Sequence, residues 1–139
     1  ARLVGADLSG ADLRSALLDG ANLDGATLER ALLRGIRWDK LSHRGIRVAG
    51  ATFGGLLVGL DLSAQDLRGC SFEGANLKDA VFRHADLEAA NFSEANLHGA
   101  DFRGANLERA TFLKANLSHA RLEHAVLDGA NFREARGYP

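Results

Sequence analysis

Residues able to carry chemistry are few in this chain, and their spacing matches no common catalytic or metal-binding plan. There are 5 His and 1 Cys among 139 residues. No phosphate-cradling G-x-x-x-x-G-K, no zinc-binding H-E-x-x-H, no G-x-S-x-G elbow and no paired cysteines occur. His98 and His119 are expected near each other on one face, and His119 and His124 on adjacent faces, but no third ligand accompanies them, so no metal, cofactor or catalytic residue is assigned. Cys70 stands where most equivalent positions hold Ala, which reads as a small core residue. The sequons at 91–93 and 116–118 fall out of a local repeat and carry little weight. What recurs instead is Asp or Asn, at Asp86, Asn91, Asn96, Asp101, Asn106, Asn116 and Asn131, each just before a large apolar residue. Short polar side chains in that setting bond nearby backbone groups, so they are read as turn formers rather than ligands.

The elements that position them follow from a five-residue period. All fifteen positions in steps of five from Leu62 to Phe132 are Leu or Phe, and the position two before each centre is Ala from Ala75 to Ala135. Leu3 to Leu33 repeats the rule with seven Leu and an Ala column from Ala1 to Ala31. On an α-helix a five-residue step advances about 140°, which gives no apolar stripe. On a strand an odd step alternates faces. The pattern is satisfied if the chain turns a corner within each five residues, so that one large group and one methyl point to a common axis. One large group plus one methyl fills a narrow tube; two large groups per repeat would not fit.

From Leu67 to Leu117 the centres alternate Leu and Phe. A ten-residue recurrence on a four-sided coil stacks like residues, so Phe72, Phe92, Phe112 and Phe132 are expected in one column, with Phe82 and Phe102 opposite. The motif A-(D/N)-(L/F)-X-X, as in "ANLDG", "ADLEA", "ANFSE" and "ADFRG", resembles the pentapeptide repeat family, strongly over residues 1–35 and 60–136. The resemblance implies an all-β fold, a right-handed quadrilateral β-helix of about seven coils with about 20 residues in each. Residues 1–139 are then expected to form a single solenoid, with an irregular segment or loop at 36–60.

That segment, "IRWDKLSHRGIRVAGATFGGLLVGL", breaks the rule. Trp38, Val48, Phe53 and Val58 keep the first register, His43 stands where Leu belongs, and Ile36, Leu41, Ile46, Leu56 and Leu60 occupy inward Ala positions. The step from Val58 to Leu62 is four, so one residue is lost there. Residues 38–47 either stay in the coil or leave it as a loop; placing Phe53 in the Phe72 column slightly favours the coil. Either way this is where a partner is expected, through Trp38, Asp39, Lys40, His43, Arg44 and Arg47. A second candidate surface is the acidic stripe of Glu88, Glu108 and Asp128, beside a face bearing Arg83 and Arg103.

Composition bounds the function. With 17 Lys plus Arg against 18 Asp plus Glu the net charge is −1, which gives no footprint for nucleic-acid attraction. No apolar run approaches the roughly 20 residues of a membrane-spanning helix, so no membrane insertion is expected, and a reducing cytoplasmic location is. Two functions remain. One is a non-enzymatic protein interaction or scaffold module, a piece of a larger protein, contacting another protein or neighbouring domains, with homodimeric or end-to-end association because neither Ala1 nor the tail "RGYP" supplies a cap. The other is what the resemblance implies for some family members: a DNA-mimicking rod that binds DNA gyrase and protects it from quinolones. Near-neutral charge and the Arg-bearing face argue against mimicry, which requires dense negative charge.

Overall fold

A computed structural model describes residues 2–138. Ala1, the first of the expected Ala column, and Pro139 at the end of the tail lie outside them. The chain winds as a coil whose successive turns pair in parallel at a separation of 20, as Asp12 does with Leu32, Asn76 with Asn96 and Asn96 with Asn116, or of 19 across the lost residue, as Thr52 does with Ser71. Since the repeat is five residues long, four repeats make one turn and each contributes one side. Pairing is confined to these isolated bridges; among the described residues no extended strand forms, and the one helical element is a single 3₁₀ turn at Trp38–Lys40. The fold is a β-helix held by one rung of pairing per side.

One regular repeat, 96–100, shows why five residues suffice. Asn96 N–H donates to the Ala75 carbonyl at 2.9 Å and Leu97 N–H to the Asn116 carbonyl at 2.8 Å, tying the side to the coils before and after. His98 N–H donates to Asn96 Oδ1 at 3.2 Å, so the Asn closes a local turn as its type predicts. Gly99 N–H donates to the Ser118 carbonyl at 2.9 Å, and Ala100 N–H closes the corner on the Leu97 carbonyl at 3.0 Å. Every N–H of the repeat is thereby satisfied. The third residue of each corner has positive φ, as a type II turn requires, whether Gly (Gly99, +70°) or not (His119, +61°). Lys40 alone among these corner positions lacks it, because the 3₁₀ turn replaces that corner.

The core is the predicted one. Phe53, Phe72, Phe92, Phe112 and Phe132 stack with centroids 4.8–5.1 Å apart, Phe82 and Phe102 stack at 5.0 Å, and the two columns meet edge to face, as Phe72 and Phe82 do at 5.6 Å. Both Ala and centre columns are buried through the middle of the rod. At the C-terminal end Tyr138 lies flat on Phe132, 3.8 Å away and 11° from parallel, extending the column by one ring.

Residues 38–47 stay in the coil: Ser42 pairs with Asn22 and Arg47 with Thr27. The register slip falls one repeat earlier than the sequence suggests. Leu57 is buried and Val58 is half exposed, so Leu57 is the centre and the four-residue step runs from Phe53 to Leu57. Leu56, expected inward, is therefore a bridging residue, paired with Asn76 and 75% exposed. Two adjacent leucines and a valine made the inward residue ambiguous; backbone pairing to Asn76 decides it.

A candidate binding cleft where the ladder opens

Apart from a single missing rung between Leu17 and Arg37, the rungs fail in one interval. Leu56, Asp61 and Asp66 each pair with the coil that follows, at Asn76, Val81 and Asp86, but with nothing in the coil before. Their N–H groups make no backbone hydrogen bond among the described residues, and neither do those of Trp38, His43 and Val48 on the facing lip. Only one of the four rungs holds across the interval: Thr52 pairs with Ser71, with Phe53 N–H on the Ser71 carbonyl at 2.8 Å and Ser71 N–H on the Ala51 carbonyl at 3.0 Å, and the corner leading into it is tied by Gly50 N–H on the Arg68 carbonyl at 2.9 Å. The coil at 37–48 and the coil at 56–66 are joined like a hinge along that side and its corner, and the other three sides lack a rung.

The cause is packing volume. In the regular rod each side points one large residue and one Ala inward. The coil at 36–48 points two large ones: Ile36 with Trp38, Leu41 with His43, Ile46 with Val48, and the next coil adds Leu60 before Leu62. Ile36, Trp38, Ile46 and Val48 are nonetheless buried, so the tube keeps the apolar groups and widens around them. Overfilling a close-packed core forces backbone shifts, and here the shift is a lost set of rungs. The coil shortened by one residue cannot restore the spacing.

The opening forms a cleft of about 670 Å³, lined by Ile36, Trp38, Leu56, Val58 and Leu60 together with Asp61 and His43. A smaller pocket of about 290 Å³ lies between Arg47 and Asp66. Trp38 is only 4% exposed, packed 5.4 Å from Phe53 and edge-on to His43 at 5.4 Å. Its indole Nε1–H is buried with no hydrogen-bond partner, an uncompensated donor of the kind folded proteins avoid. Leu56 and Val58, 75% and 50% exposed, lie on the same side as the rung position of Leu17, which is 97% exposed. Arg37, between Leu17 and Leu56 in that column, pairs with neither.

The other sequence-predicted surface residues are dispersed. Asp39 and Lys40 pair with each other at 3.5 Å, Arg44 with Asp24 at 3.2 Å and Arg47 with Glu29 at 2.7 Å. The acidic stripe is interrupted: Glu88 is ion-paired with Arg109, while Glu108 and Asp128 lie one and two coils further on. On the neighbouring side Arg83 and Arg103 both bind the carboxylate of Asp101, which is 7% exposed. His98 and His119 do meet, rings 5.0 Å apart, yet no group of three metal-ligating residues forms among the described residues. Cys70 packs with its Sγ 3.1 Å from the Val48 carbonyl, and burial pushes its thiol up to about 12, so it is held protonated and unreactive. Asp61 is held below the ordinary carboxylate range, first by the Ser63 hydroxyl and then by the Ser63 N–H. No helix is long and apolar enough to cross a membrane among the described residues.

Sequence reasoning located the irregular segment but missed the open interval. The signal was present as paired large residues at 36/38, 41/43 and 46/48, which break the one-large-one-small rule on three consecutive sides.

The chain belongs to the pentapeptide repeat family. The pentapeptide repeat region matches residues 61–132, and an eight-copy pentapeptide repeat matches residues 1–35. Among solved structures, a pentapeptide repeat protein of the Arabidopsis thaliana thylakoid lumen is 37% identical with a TM-score of 0.62, over 64% of this chain and 63% of that one. HetL, a pentapeptide repeat protein involved in heterocyst differentiation regulation in the cyanobacterium Nostoc sp., is 35% identical with a TM-score of 0.57, over 97% of this chain and 69% of that one. The plasmid-mediated fluoroquinolone resistance protein QnrB1 matches at 22% identity and a TM-score of 0.38, over 94% of this chain and 69% of that one, a level from which nothing is carried over. No curated protein matches the chain.

Proposed function

We propose that this chain is a non-enzymatic protein-interaction module, wound as a right-handed four-sided solenoid of about seven coils, that engages a partner protein or a neighbouring domain at the opened interval. The observation that carries this reading is the coincidence, at one place, of unpaired backbone, exposed Leu56 and Val58, and the buried, unpartnered Trp38 Nε1. Such groups are stabilised by covering them. We place it in a reducing compartment such as the cytoplasm, consistent with a free buried thiol.

Gyrase mimicry is not favoured by any feature of the surface: Arg109 sits on Glu88, and Arg83 and Arg103 share Asp101, so negative charge is countered where a phosphate track would need it dense. Affinity capture with the intact chain and with a Leu56→Lys, Val58→Lys double variant tests the proposal. A specific partner is expected with the intact chain and lost with the variant, whose circular dichroism and melting are unchanged. Failure of the intact chain to retain any protein would end the scaffold reading. Inhibition of gyrase supercoiling, or protection from a quinolone, would revive mimicry.

A further inference from the structure

We infer that His98 and His119 form a two-imidazole site for one divalent transition-metal cation such as zinc, bridging successive coils of the closed ladder. Neither histidine belongs to the buried core or to the opened interval, so the site stands apart from the protein-interaction reading. Their backbones are locked in register. Asn96 pairs with Asn116, Leu97 N–H donates to the Asn116 carbonyl at 2.8 Å, and Gly99 N–H donates to the Ser118 carbonyl at 2.9 Å. His98 is half-buried and His119 exposed, so an ion reaches both from solvent. With the backbone fixed beforehand, binding orders only side-chain torsions.

The rings stand at the separation of a chelating pair. With zinc bound to imidazole nitrogen at about 2.0–2.1 Å and its ligands at the tetrahedral angle, two ring centroids lie about 5 Å apart. The His98 and His119 centroids are 5.0 Å apart, with ring planes at 71°. No other two histidine rings meet among the described residues: His84 folds over Gly104, and His43 packs edge-on to Trp38.

The surroundings favour a cation. Asp79 N–H donates to the His98 carbonyl at 2.9 Å, and the Asp79 carboxylate leans over Gly99, in the space that a Cβ there would fill. A side chain at 99 would displace that acid from the pair. Asp79 acts as a neighbouring charge rather than a ligand, since no group of three metal-ligating residues forms among the described residues. Lys78, one coil before His98, is exposed on a flexible stem and is free to swing its charge into solvent. Water completes the coordination. Two neutral imidazoles suit zinc, copper and nickel, whereas magnesium and calcium take oxygen ligands.

The test uses the chain without a polyhistidine tag. Zn²⁺ followed by calorimetry should bind at one ion per chain with a Kd of about 1–100 µM, since two ligands supply about half the free energy of a four-ligand site. Mg²⁺ should give no binding heat. One equivalent of Zn²⁺ should shift the imidazole NMR signals of His98 and His119 together, ahead of those of His43, His84 and His124. His98→Gln and His119→Asn should each weaken binding by about tenfold or more, with circular dichroism and metal-free melting unchanged. Asn is chosen at 119 because it tolerates the positive φ of that corner. A His84→Asn, His124→Asn double variant should bind Zn²⁺ as the intact chain does.

The absence of saturable binding below about 1 mM overturns the site, as does equal affinity in His98→Gln and the intact chain. Parallel shifts of all five imidazoles would overturn it too, as adventitious binding to separate surface histidines only. None of these outcomes bears on capture of a partner through Leu56 and Val58, so the two readings fail separately.

Discussion

The stretch from Leu67 to Leu117 and the stretch from Ile36 to Asp66 obey the same five-residue clock with opposite results. In the first, every side spends its inward volume on one Leu or Phe and one Ala or Cys, and every rung forms. In the second the Ala positions hold Ile36, Leu41, Ile46 and Leu60, and three of four sides lose their rungs. Both stretches bury most of their inward-facing apolar groups, the exposed Leu56 and Val58 lying outward, so burial of the core does not separate them. What separates them is whether the buried volume matches the perimeter that 20 residues of backbone can close. A solenoid converts excess core into open backbone, which is how a repetitive rod acquires a place that differs from the rest of itself.

The comparison breaks most visibly under truncation. Phe92 touches stacked neighbours on both sides, at 5.0 and 5.1 Å, in the middle of the intact ladder. Phe92→Ala should cost about 3–5 kcal/mol by leaving a cavity that a laddered backbone cannot collapse. Val58→Ala, at a half-exposed position on the open lip, should cost about 0.5 kcal/mol or less. Urea melts of the two variants check the contrast; equal losses would mean that the open coil is as tightly packed as the closed one.

Hydrogen exchange sharpens the same contrast without a mutation. The amides of Asn96, Asn106 and Asn116 donate across a closed ladder at 2.9–3.0 Å, whereas the equivalent amides of Leu56, Asp61 and Asp66 donate to no backbone group among the described residues. The second set should exchange about a hundredfold faster or more, because opening needs no rung to break. Comparable protection would place a missing partner on those amides in solution.

Much of this was legible in the residues themselves. The period of five excluded helix and strand, the Leu and Phe alternation fixed which rings stack, and the Asp or Asn before each centre announced its turn, as His98 N–H on Asn96 Oδ1 shows. The slip was harder to place: Leu56, Leu57 and Val58 are near-equal in hydrophobicity, and only the pairing of Leu56 with Asn76 makes Leu57 the centre. The open interval was not legible as such, since it depends on how far a coil dilates before its rungs part, a balance between packing and backbone bonding that no single residue type records. The charge stripe was misleading for a simpler reason. Reading Glu88, Glu108 and Asp128 down one column ignores diagonal neighbours, and Arg109, one position past Glu108, reaches Glu88.

If overfilling parts the coils, relieving it should close them. Ile46→Ala restores the regular rule on one side, and although an ordinary Ile→Ala change in a core costs about 2–5 kcal/mol, here the regained rung at Val48 and Asp66 should offset about 1 kcal/mol of that. Leu97→Ala, in the closed region, has no such compensation. The double readout is stability together with slower exchange at the Asp66 amide in Ile46→Ala; a full-sized loss with no added protection would remove volume as the cause of the opening.

The smallest effect separates, by acid, the Asp-built turns near the start of the rod from the Asn-built turns of the closed region. Asp12 accepts from the Arg14 side chain at 2.8 and 2.6 Å and from the Arg14 N–H at 3.1 Å, which holds its carboxyl at about 2. A carboxyl depressed on folding stabilises the fold above its unfolded value, near pH 4, and loses that contribution as pH falls through the folded value, so the Asp12 turn should weaken between about pH 4 and pH 2. Asp7, lowered first by the Ser9 hydroxyl of its own turn, and Asp24, lowered first by the Ser42 hydroxyl and then the Arg44 N–H of the following coil, should follow in the same direction. The Asn-built turns at Asn96, Asn106 and Asn116 carry no titrating group and should keep their protection over that range. Exchange or carboxyl NMR from pH 5 to pH 2 should therefore show early loosening at the Asp7 and Asp12 turns but not at the turns of Asn96, Asn106 and Asn116, and Asp12→Asn should remove the pH dependence of its own turn while leaving the turn formed. Uniform acid loosening along the rod would assign the sensitivity to net charge rather than to the turn carboxylates.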